Sequence, residues 1–298
     1  MLRNIVSVSG GKASTALALL AVEKQASNLQ FVFADTGHEH AATYRYLEYL
    51  SEELERRTGT AIQTVRADFT KQIKKKRETV RSKWAEDGVP LDRIEQALEH
   101  LKPTGIPMLD LCLWKGRFPS TRARFCSSEL KRIPIDQQVM EPALQGSQAV
   151  ISWQGVRADE SRARADLPEK DVEFGTWEPE PTGHLIYRPI IAWTADMVFD
   201  MHRKHGVDPN PLYKQGMSRV GCMPCIHARK SEIRSIAQRY PEEFERLWKW
   251  EQHVALVSKQ GISTFFAADK TPGEEDTRSN AKAILDWAIT SRGGRQVN

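Results

Sequence analysis

The sequence predicts an α/β fold, an open parallel β-sheet with helices on both faces. Three short apolar runs occupy residues 4–8, 29–34 and 62–67, and each has the length of a buried strand. Helical patterns at residues 14–23 and 44–57 separate these runs. Strands that alternate with helices of this length are typical of parallel sheets, because each crossover helix covers one face of the sheet.

The middle of the chain adds a second helical element and one more strand. Residues 68–107 are polar and charged, which predicts a helical insertion. Residues 112–124 contain glycine and proline and are predicted to form a loop. A further strand is expected at residues 148–153. Residues 167–183 are acidic, contain three prolines and lack periodicity, so an exposed loop is expected there.

The C-terminal part of the sequence is predicted to be helical. Periodic patterns indicate helices within residues 194–204 and 230–257, and residues 271–277 are polar and expected to be mobile. We therefore predict an α/β domain at residues 1–229. A helical C-terminal region with a polar tail is predicted at residues 230–298.

Composition places the protein in the ordinary globular class. Its 298 residues are 40% hydrophobic and 28% charged, with a formal net charge of +4. No apolar run reaches the length of about 18 residues that indicates a membrane span. The N-terminus passes directly into a strand pattern without a secretory h-region, so we expect a cytoplasmic protein with reduced thiols.

Two basic runs stand out against this mild net charge. Residues 71–81 contain six lysines and arginines, and a second group lies within residues 117–132. Such runs form either a solvated helix face or a phosphate-binding patch, and the sequence leaves both interpretations open.

A glycine-containing loop follows the first predicted strand and precedes the first predicted helix. Glycines let a backbone approach phosphates closely, and a helix N-terminus offers amide donors and a positive dipole end. The loop is not a Walker A sequence, because Val6 stands where that pattern requires glycine. The candidate phosphate-binding residues are Ser9, Gly10, Gly11, Lys12, Ser14 and Thr15.

These residues carry a resemblance to a known family. The run Ser-Gly-Gly-Lys-Ala-Ser at 9–14 resembles the PP-loop of ATP pyrophosphatases, which split ATP into AMP and pyrophosphate. Ala13 stands where the family has an aspartate. Residues 33–39 resemble the end of the family's second strand, and this resemblance implies that Asp35 lies beside the adenosine. The alternative for Asp35 is the N-cap of the next helix.

Later segments resemble proteins similar to phosphoadenylylsulfate (PAPS) reductase. Residues 155–164 are similar to that family's Gly-x-Arg-x-x-Glu-Ser-x-x-Arg segment, and residues 189–198 and 210–216 also match. The resemblance covers about residues 4–229. It implies that Gly155 lies at the nucleotide and that Arg157 and Arg164 face a phosphate group, as bidentate donors do. The alternative is a surface loop with internal salt bridges.

The chain contains four cysteines, Cys112, Cys126, Cys222 and Cys225. A C-x-x-C turn lets two thiolates reach one metal, and two more thiolates suit either a [4Fe-4S] cluster or tetrahedral zinc. A thioredoxin-like redox pair is the alternative for the last two cysteines.

The segment at residues 126–134 narrows these alternatives by resemblance. It is similar to the Cys-Cys-x-x-x-Lys-x-x-Pro segment of cluster-bearing sulfonucleotide reductases, with Ser127 in place of their second cysteine. Its Cys-Ser-x-x-Leu-Lys form resembles DndC-type proteins of DNA phosphorothioation, so a [4Fe-4S] cluster is implied, with Cys112 as the replacement ligand. Sulfonucleotide reductases also carry a nucleophilic cysteine near the C-terminus, whereas this sequence has none after Cys225.

Together the resemblances imply an ATP pyrophosphatase that adenylylates a target oxygen, so that sulfur can displace AMP. Lys12, Arg157 and Arg164 are the expected catalytic residues, with Mg²⁺ as an additional cofactor. The expected partners are DNA, less favourably tRNA, and a cysteine desulfurase as sulfur donor, with no membrane. A sulfonucleotide reductase and a non-catalytic nucleotide-binding or DNA-binding subunit are the alternatives. No histidine is expected to be catalytic, and His202 is interpreted as an ordinary position on an amphipathic helix.

Overall fold

The computed structural model describes residues 1–266 and 280–289. They pack into two compact units, each assembled from separate chain segments. We call Met1–Asp35, Glu39–Arg66 and Arg132–Gly221 the sheet unit. We call Thr36–His38, Ala67–Lys131 and the described part of Cys222–Asn298 the helical unit. The division predicted between residues 229 and 230 is a boundary along the chain, whereas the two units are each assembled from separate chain segments. That division stays a prediction. The predictions for residues 271–277 and for the polar tail lie outside the described residues.

Six strands form one sheet in the order β3-β2-β1-β4-β6-β5. Neighbouring strands are parallel, except that β5 runs antiparallel to β6. The predicted fold class is therefore confirmed, and β1 lies between β2 and β4, with Val6 paired to Phe31 on one side and to Trp153 on the other. The strands are β1 Leu2–Val8, β2 Leu29–Asp35, β3 Ile62–Arg66, β4 Ala149–Trp153, β5 Lys170–Thr176 and β6 Thr182–Tyr187.

The described helices vary widely in length. They are α1 Lys12–Glu23, α2 Ala41–Thr58, α3 Thr70–Lys83, α4 Leu91–His100, α5 Pro107–Lys115, α6 Phe125–Ser127, α7 Ile133–Ile135, α8 Glu141–Gln145, α9 Arg162–Ala165, α10 Ala195–His205, α11 Pro211–Lys214, α12 Lys230–Arg239, α13 Pro241–Leu256 and α14 Ala281–Ile289. Two π-helical turns, Ser128–Arg132 and Asp136–Met140, lie between the short helices α6, α7 and α8. None of the helices in the described ranges combines the length and apolar character needed to cross a bilayer.

Helices cover both faces of the sheet. Val6 and Val8 of β1 belong to the larger core, which also contains Leu17 of α1. Ile5, between them in sequence, belongs to a second core with Val139 from the π-helical turn before α8. Side chains alternate between the faces of a strand, so a central strand that is buried on both faces reads as a continuous apolar run. This explains why β1 and β2 were recognisable from the sequence.

The predicted loop at residues 112–124 is wrong in its first part. Cys112 lies inside α5 and is fully buried. Gly116 has a φ of 66° and follows the last helical residue as the C-cap. Because glycine relieves the strain of the left-handed conformation, it commonly ends a helix. The glycine that indicated a loop is thus the end signal of a helix.

The predicted exposure of residues 167–183 is confirmed, but their assignment as a loop is wrong. The segment contains β5 and the start of β6, which form a hairpin at one edge of the sheet. An edge strand has no neighbour on one side, and nearly all side chains of β5 are exposed, including Val172 and Phe174. The strand therefore lacks the alternating apolar pattern of a half-buried strand. The three prolines lie outside both strands.

The predicted helices are otherwise found, with one interruption. The insertion at residues 68–107 contains α3 and α4 and the start of α5, which confirms its helical character. The helical stretch 230–257 is divided into α12 and α13. Pro241 opens α13, where its missing amide hydrogen costs no helical hydrogen bond. Residues 133–145 are helical as well, which the sequence reasoning missed.

The helical unit is built around α13, which packs against α4, α5, α12 and α14. Glu251 of α13 is almost fully buried, and its two carboxylate oxygens each accept a 2.7 Å hydrogen bond from the backbone amides of Phe265 and Ala281. Burial raises the pKa of this carboxyl to about 7, although both amide hydrogen bonds lower it. Desolvation of the charged form thus outweighs the two charge-assisted hydrogen bonds.

We expect Glu251 to make stability fall as pH rises. The unfolded carboxyl ionises near 4.5, whereas the folded one keeps its proton to about pH 7. Between these values the unfolded state releases the proton first, so the free energy of unfolding falls by up to about 3 kcal/mol. Denaturant titrations at several pH values would measure this, and Glu251→Gln should flatten the fall.

Glu245→Gln is the matched control, because Glu245 lies exposed on the same helix. It should leave the pH profile of the parent protein unchanged. Equal profiles for Glu251→Gln and the parent would show that Glu251 does not hold the proton.

Candidate functional site

The loop after β1 is held tightly by its own hydroxyl groups. Ser14 Oγ accepts from the Ser9 amide at 3.0 Å and donates to Gly11 O at 3.0 Å. Gly10 has a φ of 69°, and a Cβ there would meet Thr43 Cγ2 at 2.9 Å. A side chain is thus disfavoured at Gly10 both by conformation and by space. The hydroxyl of Thr15 points inward and accepts from Tyr46 OH at 3.3 Å.

Lys12 contacts a segment that sequence reasoning gave no role. Its ammonium donates to Ser218 O at 2.9 Å and lies 5.1 Å from the centre of the Tyr213 ring. Its backbone amide donates to Tyr213 OH at 2.9 Å. The Tyr213 hydroxyl therefore lies at the first amide of α1, a position where a helix N-terminus binds anions. The 210–216 match to the family was the signal that could have indicated Tyr213.

Two polar side chains from later in the chain form hydrogen bonds with backbone carbonyls of this loop. His202 is almost fully buried, and its Nε2 donates to Lys12 O at 2.9 Å. Asn210 Nδ2 donates to Gly10 O at 3.2 Å. His202 lies on α10 as predicted, and the structure adds its hydrogen bond to the loop. Its spacing on α10 shows only that it faces inward, and the residue that it meets is set by the tertiary fold.

The segment after β4 approaches the start of α1 closely. A Cβ on Gly155 would lie 3.3 Å from both the N and the Cα atoms of Ser14. The order of strands reverses at β1, because β2 lies on one side and β4 on the other. In open α/β sheets, ligands bind at the carboxyl ends of the strands where the order reverses. The structure therefore brings together the predicted phosphate loop and the predicted Gly155 segment at the expected place.

Three arginines gather in the same unit, and we call Arg157, Arg164 and Arg219 the arginine cluster. Arg157 is buried and bonds Asp159 at 2.8 Å, while its Nε has no hydrogen-bond partner among the described residues. Arg164 pairs with Glu160. Burial, and then the charges of Arg219 and Arg157, lower the pKa of Arg164. The structure thus adds Arg219 to the two predicted arginines.

Asp35 lies at the wall of a cavity of about 320 Å³. Its two oxygens accept from Tyr44 OH at 2.7 Å and from Arg66 Nε at 2.8 Å. Asp35 is not the N-cap of α2, because His40 occupies that position and accepts from the Ala42 amide. The cavity is lined by Phe33, Asp35, Tyr44, Leu47, Glu48, Ser51, Ile62 and Thr64.

A second candidate site is formed by the four cysteines, which all lie in the helical unit and are not disulfide-bonded. The tripeptide Thr36–His38 joins the segments that carry them. Thr36 O accepts from the amide of Met108 in α5 at 2.9 Å, and His38 O accepts from the amide of Met223 at 2.9 Å. Thr36 Oγ1 lies 3.6 Å from Cys222 Sγ.

His38 holds the C-x-x-C turn from a fully buried position. Its Nε2 donates to Pro224 O at 2.9 Å, and its ring packs against Trp250 and Phe265. Burial, and then the charge of Arg246, lower its pKa to about 3. The imidazole is therefore neutral at neutral pH and serves as a fixed donor to the turn. Sequence reasoning noted His38 only for its place near the second strand.

The thiols influence one another. Burial, and then Cys126, raise the pKa of Cys112, while burial and then Cys225 raise the pKa of Cys126. Within residues 1–266 and 280–289, no group of three or more His, Cys, Asp or Glu side chains is arranged to hold a metal ion. The donor atoms are thus of the type that iron–sulfur clusters and zinc take, but they are not in coordinating geometry. The four-ligand assignment stays a prediction.

Comparison with known proteins identifies the family. A model described as the phosphoadenosine phosphosulfate reductase domain matches residues 3–228. The chain belongs to this family. The predicted resemblance to PAPS reductase-like proteins is therefore confirmed, while the narrower relation to DndC-type proteins stays a prediction.

Relatives of this chain carry different names. An uncharacterized 37.8 kDa protein of Escherichia phage 186 is 50% identical, over 99% of this chain and 90% of that protein. An adenosine 5'-phosphosulfate reductase of Neisseria meningitidis is 31% identical, over 47% of this chain and 56% of that enzyme. A crystal structure of PAPS reductase from Candida auris aligns with a TM-score of 0.43 and 17% identity, covering 75% of this chain and 82% of that one.

We expect Gly155→Ala to weaken nucleotide binding about fivefold or more, because the new methyl group would press on backbone atoms at the start of α1. Overpacking of this kind costs about 1–3 kcal/mol. Calorimetric titration with a non-hydrolysable ATP analogue would measure the affinity, and thermal unfolding would measure the stability.

Gly146→Ala is the matched control. Gly146 lies in the same unit with a negative φ, and a Cβ there would meet no atom within 4 Å. This variant should bind like the parent protein. Parental affinity in Gly155→Ala as well would show that the close approach has no role in the site.

Proposed function

We propose that this protein binds ATP at the loop after β1 and cleaves it between the α and β phosphates, transferring the adenylyl group to a target oxygen. The observation that carries the proposal is the position of the glycine loop and Gly155 at the point where the strand order reverses, together with the arginine cluster in the same unit. This combination suits a polyphosphate, because backbone amides and guanidinium groups are its preferred donors.

The residues have separable roles in this proposal. The loop amides and Lys12 hold the phosphates, and Arg157 and Arg164, joined by Arg219, stabilise the charge that develops on the leaving pyrophosphate. The buried Nε of Arg157 gives the cluster donor capacity that the described residues leave unused. Bound Mg²⁺ would supply further charge neutralisation, although the first turn of α1 contains no acidic residue to position it.

The adenylyl transfer prepares the target for sulfur. The target oxygen attacks the α-phosphorus of ATP, the bond to the β-phosphate breaks and pyrophosphate leaves. Sulfur at the oxidation level of sulfide then attacks the adenylylated centre, and AMP leaves with the original oxygen. We place this reaction in the cytoplasm, on a DNA backbone phosphate rather than on tRNA, with a cysteine desulfurase and a thiol reductant as the sulfur source. The DndC-type form of residues 126–131 supports the choice of DNA.

We further propose that Cys112, Cys126, Cys222 and Cys225 hold one [4Fe-4S] cluster. Support comes from the presence of all four thiols in one unit and from the two segments tied together by Thr36 and His38. Thiolate is the ligand that such clusters take, and the cluster would either relay sulfur or stabilise the fold.

A sulfonucleotide reductase is the second candidate function. The 31% identity to an adenosine 5'-phosphosulfate reductase favours it. That chemistry needs a thiolate that attacks sulfur, and all four cysteines of these 298 residues are assigned to the proposed cluster. A non-catalytic nucleotide-binding subunit is the third, because Ala13 replaces the aspartate of the PP-loop.

We expect ATP labelled at the α-phosphate to yield labelled AMP, and Lys12→Ala to reduce this turnover about a hundredfold through lost charge stabilisation. Chromatography of the products measures both, and Lys24→Ala, at the opposite end of α1, is the matched control. Labelled ADP would contradict the pyrophosphatase activity. Sulfite release from adenylylsulfate would instead establish the reductase.

We expect anaerobically purified protein to be brown and to contain about four iron atoms per chain. Cys222→Ser and Cys225→Ser should each lose most of the iron and lower the melting temperature. Cys112→Ser should retain part of it, since Cys112 lacks a matching family position. A colourless anaerobic protein with one zinc per chain would reject the cluster and leave a tetrahedral structural site.

A further inference from the structure

The helix α3 divides its cations between two faces. Arg77 points inward and donates to the backbone carbonyls of Leu98 and Leu101, and the Lys76 ammonium lies over the Trp84 ring. The remaining cations are exposed, and none forms a salt bridge with a described residue. These exposed cations are Lys71, Lys74, Lys75, Arg81 and Lys83.

A second group of cations lies next to α3 in the same unit. The rings of Phe69 and Trp114 stack with centroids 5.6 Å apart, and Lys76 Nζ lies 3.7 Å from where a Cβ on Gly116 would be. The start of α3 thus packs on the end of α5. The loop that follows α5 exposes Arg117, Arg122 and Arg124.

Both basic runs of the sequence thus lie in the helical unit, on α3 and on the loop after α5, and we call their exposed cations the basic face: Lys71, Lys74, Lys75, Arg81, Lys83, Arg117, Arg122 and Arg124. Its acidic neighbours are few. Glu78 is the one acidic residue of α3, and Glu129 is paired with Lys115 at 3.0 Å. The packing of α3 on α5 brings the start of the first basic run close to the segment that leads into the second, which favours the phosphate-binding interpretation of the two that the sequence left open.

We infer that the basic face binds the phosphate backbone of duplex DNA. On α3 the cations from Lys71 to Arg81 span about 15 Å at 1.5 Å per residue, which reaches several phosphates of one strand. Neither α3 nor residues 114–124 exposes a large apolar side chain, so the face lacks the groups that insert into a lipid surface. The inference rests on the proposed function only for the choice of DNA as the polyanion.

Contacts to phosphates predict binding without base specificity. Each lost phosphate contact should reduce the slope of log affinity against log salt by about 0.9. We would measure binding of the full chain to a fluorescent duplex of about 24 base pairs by anisotropy over a salt series. The triple variant Lys71→Gln, Lys74→Gln, Lys75→Gln should lower the slope by about 2–3 and weaken binding at least tenfold near 100 mM salt.

The matched control variant removes three positive charges from the sheet unit, outside the basic face. Lys24, Lys170 and Lys204 are exposed in the sheet unit, and their simultaneous replacement by Gln makes the same change in net charge. The control should keep the parental slope. The double variant Arg122→Gln, Arg124→Gln should reproduce the loss, because these arginines belong to the same face.

Several results would overturn the inference. One is an equal salt slope for the triple variant and the control. Another is tighter binding to duplex RNA than to duplex DNA. A third is competition by polyglutamate that is as effective as competition by unlabelled duplex DNA. Affinity for a non-hydrolysable ATP analogue, measured without DNA, should stay parental in the triple variant, since α3 is no part of the nucleotide site. If the protein binds DNA through the basic face but never releases AMP, only the pyrophosphatase proposal is refuted. If it releases AMP but does not bind DNA through the basic face, only this inference is refuted.

Discussion

The absence of a side chain at residue 155 is the constraint on which the site of the sheet unit depends. A Cβ there would lie 3.3 Å from backbone atoms of Ser14, which cannot yield as a flexible side chain can. Because β1 and β4 are neighbours, the segments that follow them lie close together, and a side chain at residue 155 would push them apart by a few tenths of an ångström. Arg157 follows two residues later, so the same close approach sets where its guanidinium can lie. Phosphate loop and arginine cluster are therefore parts of one packing arrangement.

A similar constraint operates in the helical unit. Gly37 has a φ of 68°, and a Cβ there would meet Pro107 Cδ at 2.9 Å. Because residue 37 has no side chain, Thr36 can form a hydrogen bond with α5 while His38, two residues later, forms one with the C-x-x-C turn. In both units a glycine permits a close approach, to backbone atoms at Gly155 and to the Pro107 and Ile106 side chains at Gly37, and the polar side chains beside it then occupy defined positions. Substrate and metal chemistry both require side chains that are held in fixed positions by their surroundings.

Features that depend on a local pattern of residues could be predicted from the sequence alone. The buried strands, the glycine loop and the family were recognisable because two-sided burial and phosphate contact each demand particular residue types. The edge strand β5 was missed because its side chains face water and carry no pattern. Tyr213, His202 and Arg219 were missed for another reason. Their partners are distant in sequence, as with Tyr213 and Lys12, and only the tertiary fold brings them together.

Both candidate sites concentrate groups that repel one another. In the sheet unit Arg157 and Arg164 share the carboxylates of Asp159 and Glu160. Burial, and then the charges of Arg219 and Arg157, lower the pKa of Arg164. In the helical unit the buried thiols resist ionisation. A fold keeps such arrangements only if something repays their cost, since a purely structural role would be served equally well by apolar side chains. A bound anion would reduce the repulsion among the arginines, and a bound cation would favour the thiolate form of the cysteines. The electrostatics of each unit thus agrees in sign with the ligand that we propose for it, an anion at the arginine cluster and a metal centre at the cysteines.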